Sequence, residues 1–408
     1  MIFSDYITEQ KNTHMTHIED KVLYGGVDGT RQAILALRSL RDALAGEHEG
    51  TVSVKWDGAP AIFAGVDPND GKFFVAKKGI FNVNPKVYKT PADVDADTSG
   101  DLADKLKVAL KELPKLGIKG VIQGDFLYGP GDLKKSKIKG KEYLTFHPNT
   151  IVYAIPTATE MAKTIQKSKI GVVWHTEYTG DSFETMKANF NYDASGLKQT
   201  SSVFSTDANL KDMTGFTMSA KDTELVTSYL SQAGKLFNQV SGSTLRQLEG
   251  NQQLAQMIET FNNTYVRKGT VVTDTKRHVN NLINYIKQKY QKEIDKRKTP
   301  QGKEKQSKEL DKVLEFFSDK NRQSLQKLFD LQKAIVLAKL KLINILDKLN
   351  NAKTFLKTKK GYRVTGQEGY VAVDKLGGDA VKIVDRMEFS FANFSPSILK
   401  GWDKPGRN

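Results

Sequence analysis

The sequence contains no cysteine, which excludes disulfides, thiolate metal sites and a cysteine nucleophile and fits a reducing cytoplasm. No run of 18 or more apolar residues occurs, so no membrane-spanning segment is expected. The opening Met1-Ile2-Phe3-Ser4-Asp5-Tyr6 has neither a basic nor an apolar stretch, so secretion is not expected either. Histidine is scarce, at six residues. His14 and His17 stand beside Glu19 and Asp20, but with no further histidine nearby the segment reads as a polar helix start in place of a metal cluster. Gly25-Gly26-Val27-Asp28-Gly29-Thr30 lacks the Lys-Ser/Thr ending of a P-loop, so Asp28 or Thr30 reads as a helix cap.

What is present is a 408-residue chain with 38% hydrophobic and 27% charged residues, the balance of a globular protein, at a length that suggests two domains or one domain with a substantial insertion. The net charge is +15, and it is unevenly placed. Residues 271–360 hold roughly 23 Lys or Arg against 10 Asp or Glu, which points to a polyanionic partner.

Val52-Ser53-Val54-Lys55-Trp56 alternates as a strand, holding one lysine on an apolar-backed element, and Asp57-Gly58 turns the chain into a returning strand at Ala59 to Ala64. Further strands are expected at Phe73–Gly79, Gly120–Gly129, Ile151–Ile155 and Ile170–Tyr178. Helices are expected at Arg31–Leu44, Leu102–Leu113 and Pro156–Lys167. Asp93–Gly100 and residues 180–220 read as loops. From Lys221 to Lys353 apolar residues recur at helical spacing, which predicts four to six helices carrying most of the basic excess. Lys287, Lys289, Lys292, Lys296, Arg297 and Lys298 are expected on one long helix facing a polyphosphate. Strand character returns at Gly369–Val373 and Ala380–Val384, with a turn at Gly377-Gly378.

Lys55-Trp56-Asp57-Gly58 resembles motif I of the covalent nucleotidyltransferases, the superfamily of ATP-dependent DNA and RNA ligases and capping enzymes. Lys77-Lys78-Gly79 resembles motif Ia, with Lys78 the phosphate contact and Lys77 its alternate. Asp125 in Gly124-Asp125-Phe126 resembles the motif III acid, usually Glu. Ile151-Val152-Tyr153 resembles motif IIIa, Glu368-Gly369-Tyr370-Val371 motif IV, and Val381-Lys382-Ile383-Val384 motif V, with Val384 where the family often has a second lysine. Arg386 is a possible replacement for it.

The resemblance implies an α+β fold, an antiparallel-sheet ligase domain (residues 1–220 and 354–408, ATP-grasp-like) with a helical module inserted at 221–353. It implies ATP and Mg²⁺ or Mn²⁺, with Lys55 as the nucleophile and Asp57 and Lys382 as catalytic partners. Val54, Gly58, Lys78, Asp125, Glu368 and Gly369 would line the nucleotide, Phe126 or Tyr153 would stack on its base, and Glu368 would hold the metal. A lysine of ordinary pKa, about 10.4, is almost wholly protonated at neutral pH, so desolvation and a neighbouring cation are needed to release its lone pair. DNA ligases and capping enzymes carry a further domain after motif V, and only about 20 residues follow Arg386. The expectation is therefore an RNA ligase sealing 5′-phosphate to 3′-hydroxyl ends, gripping nucleic acid through the helical module. A capping-type enzyme, a DNA ligase or a catalytically silent nucleic-acid scaffold are the alternatives.

Overall fold

The computed structural model describes residues 16–46, 51–190, 192–209, 217–349, 352–373 and 380–402. His14 and the Gly377-Gly378 turn lie outside them. Among these residues the fold is α+β, and no helix is long and apolar enough to cross a membrane.

The chain begins with α1 (Lys21–Tyr24) and α2 (Gly26–Leu44), then β1 (Thr51–Lys55), β2 (Ala61–Val66) and β3 (Phe73–Ala76). Helices α3 (Pro91–Asp97) and α4 (Gly100–Glu112) follow, then β4 (Val121–Tyr128), β5 (Lys134–Ile138), β6 (Lys141–Phe146), β7 (Ile151–Pro156), α5 (Glu160–Lys167) and β8 (Ile170–Thr179). The expected acidic loop is thus partly α3, because Thr90 and Asp93 cap each other's backbone N–H groups at its start. The polar stretch 180–220 contains β9 (Lys187–Asn189) and β10 (Val203–Asp207), which pair with β8.

Six helices fill 220–349: α6 (Ala220–Phe237), α7 (Gly242–Glu249), α8 (Gln252–Arg267), α9 (Thr275–Asp295), α10 (Pro300–Phe316) and the 31-residue α11 (Asp319–Leu349). The chain closes with β11 (Lys353–Thr358), β12 (Gly361–Val364), β13 (Gly369–Val373), β14 (Ala380–Ile383) and α12 (Arg386–Phe394).

The strands form three sheets, in the orders β1-β13-β14, β10-β8-β4-β2-β3 and β12-β11-β7-β6-β5. All pairings along them are antiparallel except β8 with β10. One expectation fails in an informative way: β1 and β2 do not pair as a hairpin. Trp56 to Pro60 carries the chain from the first sheet to the second, so the lysine strand ends where two sheets diverge.

Alternation along β1 points Val52 and Val54 into one apolar core with α2 and the helices α6 to α11. Tyr370, Ala372, Val381 and Ile383 from β13 and β14 join the same core. The three-stranded sheet and the N-terminal helices are therefore packed on the helical module, although chain order groups them with the other strands. The periodic residues of α11, among them Leu328, Leu331, Ile335, Leu342 and Leu346, are buried along its length, and at 1.5 Å per residue it is a strut of about 46 Å.

Candidate active site

The antiparallel register sets Lys55 opposite Gly369, so the residue before β13, Glu368, lies beside the lysine. Lys55 Nζ is 2.5 Å from Glu368 Oε1, with the lysine side chain 32% exposed. The outer edge of β1 is covered where the Val54 N–H donates to the Ala208 carbonyl at 2.7 Å. Gly369 is glycine because a Cβ there would strike Val384 and the Ile383 carbonyl on β14.

Asp57 is committed to holding the turn. Its carboxylate accepts hydrogen bonds from Asn149 Nδ2 at 2.6 Å, the Thr150 N–H at 2.7 Å, the Thr150 hydroxyl at 2.5 Å and the Ile151 N–H at 2.7 Å. Its own N–H donates to the Tyr153 hydroxyl at 2.6 Å. Burial raises its pKa, against the pull of Thr150 and Ile151. With its oxygens so engaged, Asp57 staples the β1 end to the start of β7, which is a positioning role in place of a catalytic one. Gly58 is needed for protein packing: a Cβ would come 2.5 Å from Asp125 Cβ and 3.0 Å from the Phe126 carbonyl.

Asp125, on β4, faces Lys55 from the second sheet. Burial pushes its pKa up to about 7, Glu368 and Asp57 add to the rise, and Lys55 and Lys78 oppose it. His175 on β8 brings Nε2 to 3.7 Å from Asp125 Oδ2. Burial and then Lys55 lower its pKa to about 4, so the imidazole is neutral at pH 7. Glu368 is raised by burial against the attraction of Lys55. Lys382, half-buried on β14, is lowered by burial and then by the charge of Lys55. Two carboxylates that take up protons readily and one destabilised ammonium thus surround the lysine amine, an arrangement typical of reactive sites.

Other expected residues are placed differently. Lys78 is exposed at the end of β3, while Lys77 is tied to Asp97 at 3.0 Å. Phe126 is 1% exposed and packs in the core under the second sheet. Tyr153 is fully buried, its ring centroid 4.7 Å from Trp56 and 5.3 Å from Phe146. Neither ring offers a face to a base, so both pack where stacking was expected. Arg386 does not stand in for the absent second lysine: it is held by Asp20 at 2.7 Å and Glu19 at 3.6 Å. Helix α9 ends at Asp295, so Lys296 to Lys298 lie beyond the helix that was expected to carry them.

The ion pair stands between two cavities, Lys55 lining one and Glu368 the other. A small one of about 100 Å³ is lined by Lys55, Trp56, Asp125, Val173, His175 and Phe190. A larger cleft of about 790 Å³ has Glu368, Thr150 and Ile151 in its wall and extends between the third sheet, the end of α11 and α12. Sequence reasoning missed His175 and Phe190. Alternation in the strand around Trp174 sets His175 on the opposite face from that buried ring, but nothing local says which face meets Lys55. Among the described residues no group of three His, Asp or Glu is assembled for a metal ion; Glu368 pairs with the amine and Asp125 lines the same small cavity.

Comparison with family models matches residues 12–397 to a family of unknown function, DUF6267. No curated protein and no solved structure matches the chain.

Proposed function

We propose that this chain, which belongs to the DUF6267 family, is an ATP-dependent polynucleotide ligase that carries AMP on Lys55, with RNA the expected acceptor. The observation that carries the reading is the partly exposed Lys55 amine, held 2.5 Å from Glu368 between two cavities. The order of motif-like segments supports it: Lys55 and Asp125 line the small cavity, Ile151 and Glu368 the larger cleft, and the charges of Lys78 and Lys382 act on Asp125 and Glu368.

In the first step Lys55 Nζ attacks the α-phosphorus of ATP. The N–P bond forms, the bond from that phosphorus to the bridging oxygen breaks, and pyrophosphate leaves. The ammonium must first lose a proton, and Glu368, with its raised pKa, is the acceptor within reach. Lys382 and Lys78 add positive charge for the departing phosphates. The AMP then passes to a 5′-phosphate, and a 3′-hydroxyl displaces it as the strands join.

The small cavity is below the roughly 300 Å³ of ordinary ligand sites, so it suits part of a nucleoside, the phosphates extending past Lys55 toward the cleft. Magnesium needs one or two protein carboxylates and otherwise keeps water or phosphate oxygens. Glu368 and Asp125 fit that role, and the ion would supply charge neutralisation at the phosphates.

The test is the intact mass of the purified chain after incubation with ATP and magnesium. One added AMP, mapped to the Lys55 peptide and absent in Lys55→Ala, is expected. Label taken from GTP in place of ATP would move the chain to the capping-type enzymes, and no adduct with either would remove the nucleotidyltransferase reading.

A further inference from the structure

The strongest unexplained charge lies away from the helices. Lys134-Lys135-Ser136-Lys137-Ile138-Lys139-Gly140-Lys141 places five lysines in the β5–β6 hairpin, at the open edge of the third sheet. All five are exposed, and among the described residues none is in an ion pair. The one acid on the two strands is Glu142. The turn itself is Lys139-Gly140, with φ of 49° at Lys139 and 80° at Gly140. Asn, Asp or Gly usually occupies such a position, because a left-handed backbone crowds Cβ; here a lysine is kept despite the strain.

Lys139 and Lys141 line the 790 Å³ cleft that ends at Glu368, and Lys348 and Lys353 project from its other walls. The acids of the cleft are all engaged. Asp347 accepts from the Tyr370 hydroxyl, Asp385 caps α12, Glu388 pairs with Arg363, and Glu368 pairs with Lys55. Four lysines without an ion pair, against Asp347 and Asp385, which are hydrogen-bonded but not ion-paired, leave the cleft with a cationic excess among the described residues. Beside them Phe389 of α12 is a half-buried ring in the cleft wall, whereas Phe394, 70% exposed, and Phe391, with the Arg363 guanidinium 4.3 Å from its ring, do not line the cleft. Excess lysines track a phosphate backbone, and a ring in the cleft wall accepts an unpaired base, which a duplex would hide.

We propose that this cleft seats a single-stranded polynucleotide, entering over the Lys139 turn and ending with its terminal phosphate beside Lys55 and Glu368. The direction of the strand rests on the ligase reading; the binding does not. The α9 lysines, by contrast, serve as a solvated helix face.

The test is fluorescence anisotropy of the full-length chain, without ATP, with short 5′-phosphorylated RNA, DNA of the same sequence, and the duplex. Replacing the five hairpin lysines by Gln is expected to weaken single-strand binding at least about tenfold and to reduce the salt dependence. Lys139→Asn, which relieves the left-handed turn and so folds readily, is expected to weaken it about twofold. The variant with Lys287, Lys289 and Lys292 changed to Gln should bind as the parent does. Unchanged binding by the hairpin variants, loss in the α9 variant, or tighter binding of duplex than of single strand overturns the proposal. AMP loading of Lys55 together with unaltered binding by the hairpin variants defeats the cleft alone, whereas weakened binding without any AMP adduct defeats the ligase reading alone.

Discussion

Two lysine–glutamate pairs in this molecule are chemically alike and physically opposed. Lys55 and Glu368 meet at 2.5 Å with side chains 32% and 11% exposed, between two cavities. Lys339 and Glu19 meet at 2.7 Å between α11 and the N-terminal segment; both line a cavity of about 230 Å³, yet their side chains are only 1% and 6% exposed. Burial alone would raise Glu19, yet Lys339 and Arg386 hold it down at about 2. A pair so fully buried is bound to its partner, since either charge alone would be left in a medium that cannot solvate it. A pair whose lysine is a third exposed can exchange its partner for a charged ligand, which is what the proposed attack on phosphorus requires.

The comparison can be broken most sharply at Lys55. Lys55→Ala is expected to remove AMP loading entirely, a loss beyond about 10³-fold if the amine is the nucleophile. Its thermal midpoint should fall less than that of Lys339→Ala. Loading that survives in Lys55→Ala, followed by mass spectrometry, would make the two pairs equivalent after all.

Next in size is Lys339→Ala, expected to cost about 3 kcal/mol in urea unfolding because Glu19 is left buried with only the more distant Arg386, at 3.6 Å, to offset its charge. The double variant Lys339→Met with Glu19→Leu should recover most of that loss. A small effect of the single variant would show that water reaches the pair.

A smaller effect is pH-dependent. Asp125 is pushed up to about 7 in the folded chain, above its unfolded value of about 3.9. Between these values the folded state binds more protons than the unfolded one, so Asp125 lowers stability as pH rises from about 4 to 7 and adds no slope above that. Asp125→Asn should flatten that part of the stability–pH curve and leave the variant more stable than the parent at pH 8, measured by denaturant melts across the range. The smallest expected change is in the variant with Lys287, Lys289 and Lys292 replaced by Gln, within about 0.5 kcal/mol in the same melts, as for exposed helix lysines without buried contacts.

Much of this layout is legible in the chain. Period-two alternation located β1 and β14, short apolar runs located β3, β4, β7, β8 and β13, and helical spacing located the 220–349 module, because each pattern reports the burial of one element. The failures share a cause. The hairpin reading at Asp57-Gly58 failed because turn chemistry cannot say whether the next strand joins the same sheet. Phe126 and Tyr153 look alike as ligand stackers or core rings until their neighbours are known. The lysines at 134–141 are a charge run in the sequence, but nothing local says that two of them line a cleft ending at Glu368.

The sequence by itself determined which segments extend, which coil, and in what order lysines and carboxylates follow one another, since these depend on neighbours a few positions apart. Only the tertiary structure decided which of them meet. Glu19 and Lys339 are 320 positions apart, and Asp57 finds its donors 92 to 94 positions on. Burial and hydrogen-bond partners, which set whether a charge is trapped or available, arise from that long-range packing, so identical side chains became a strut in one place and a candidate nucleophile in another.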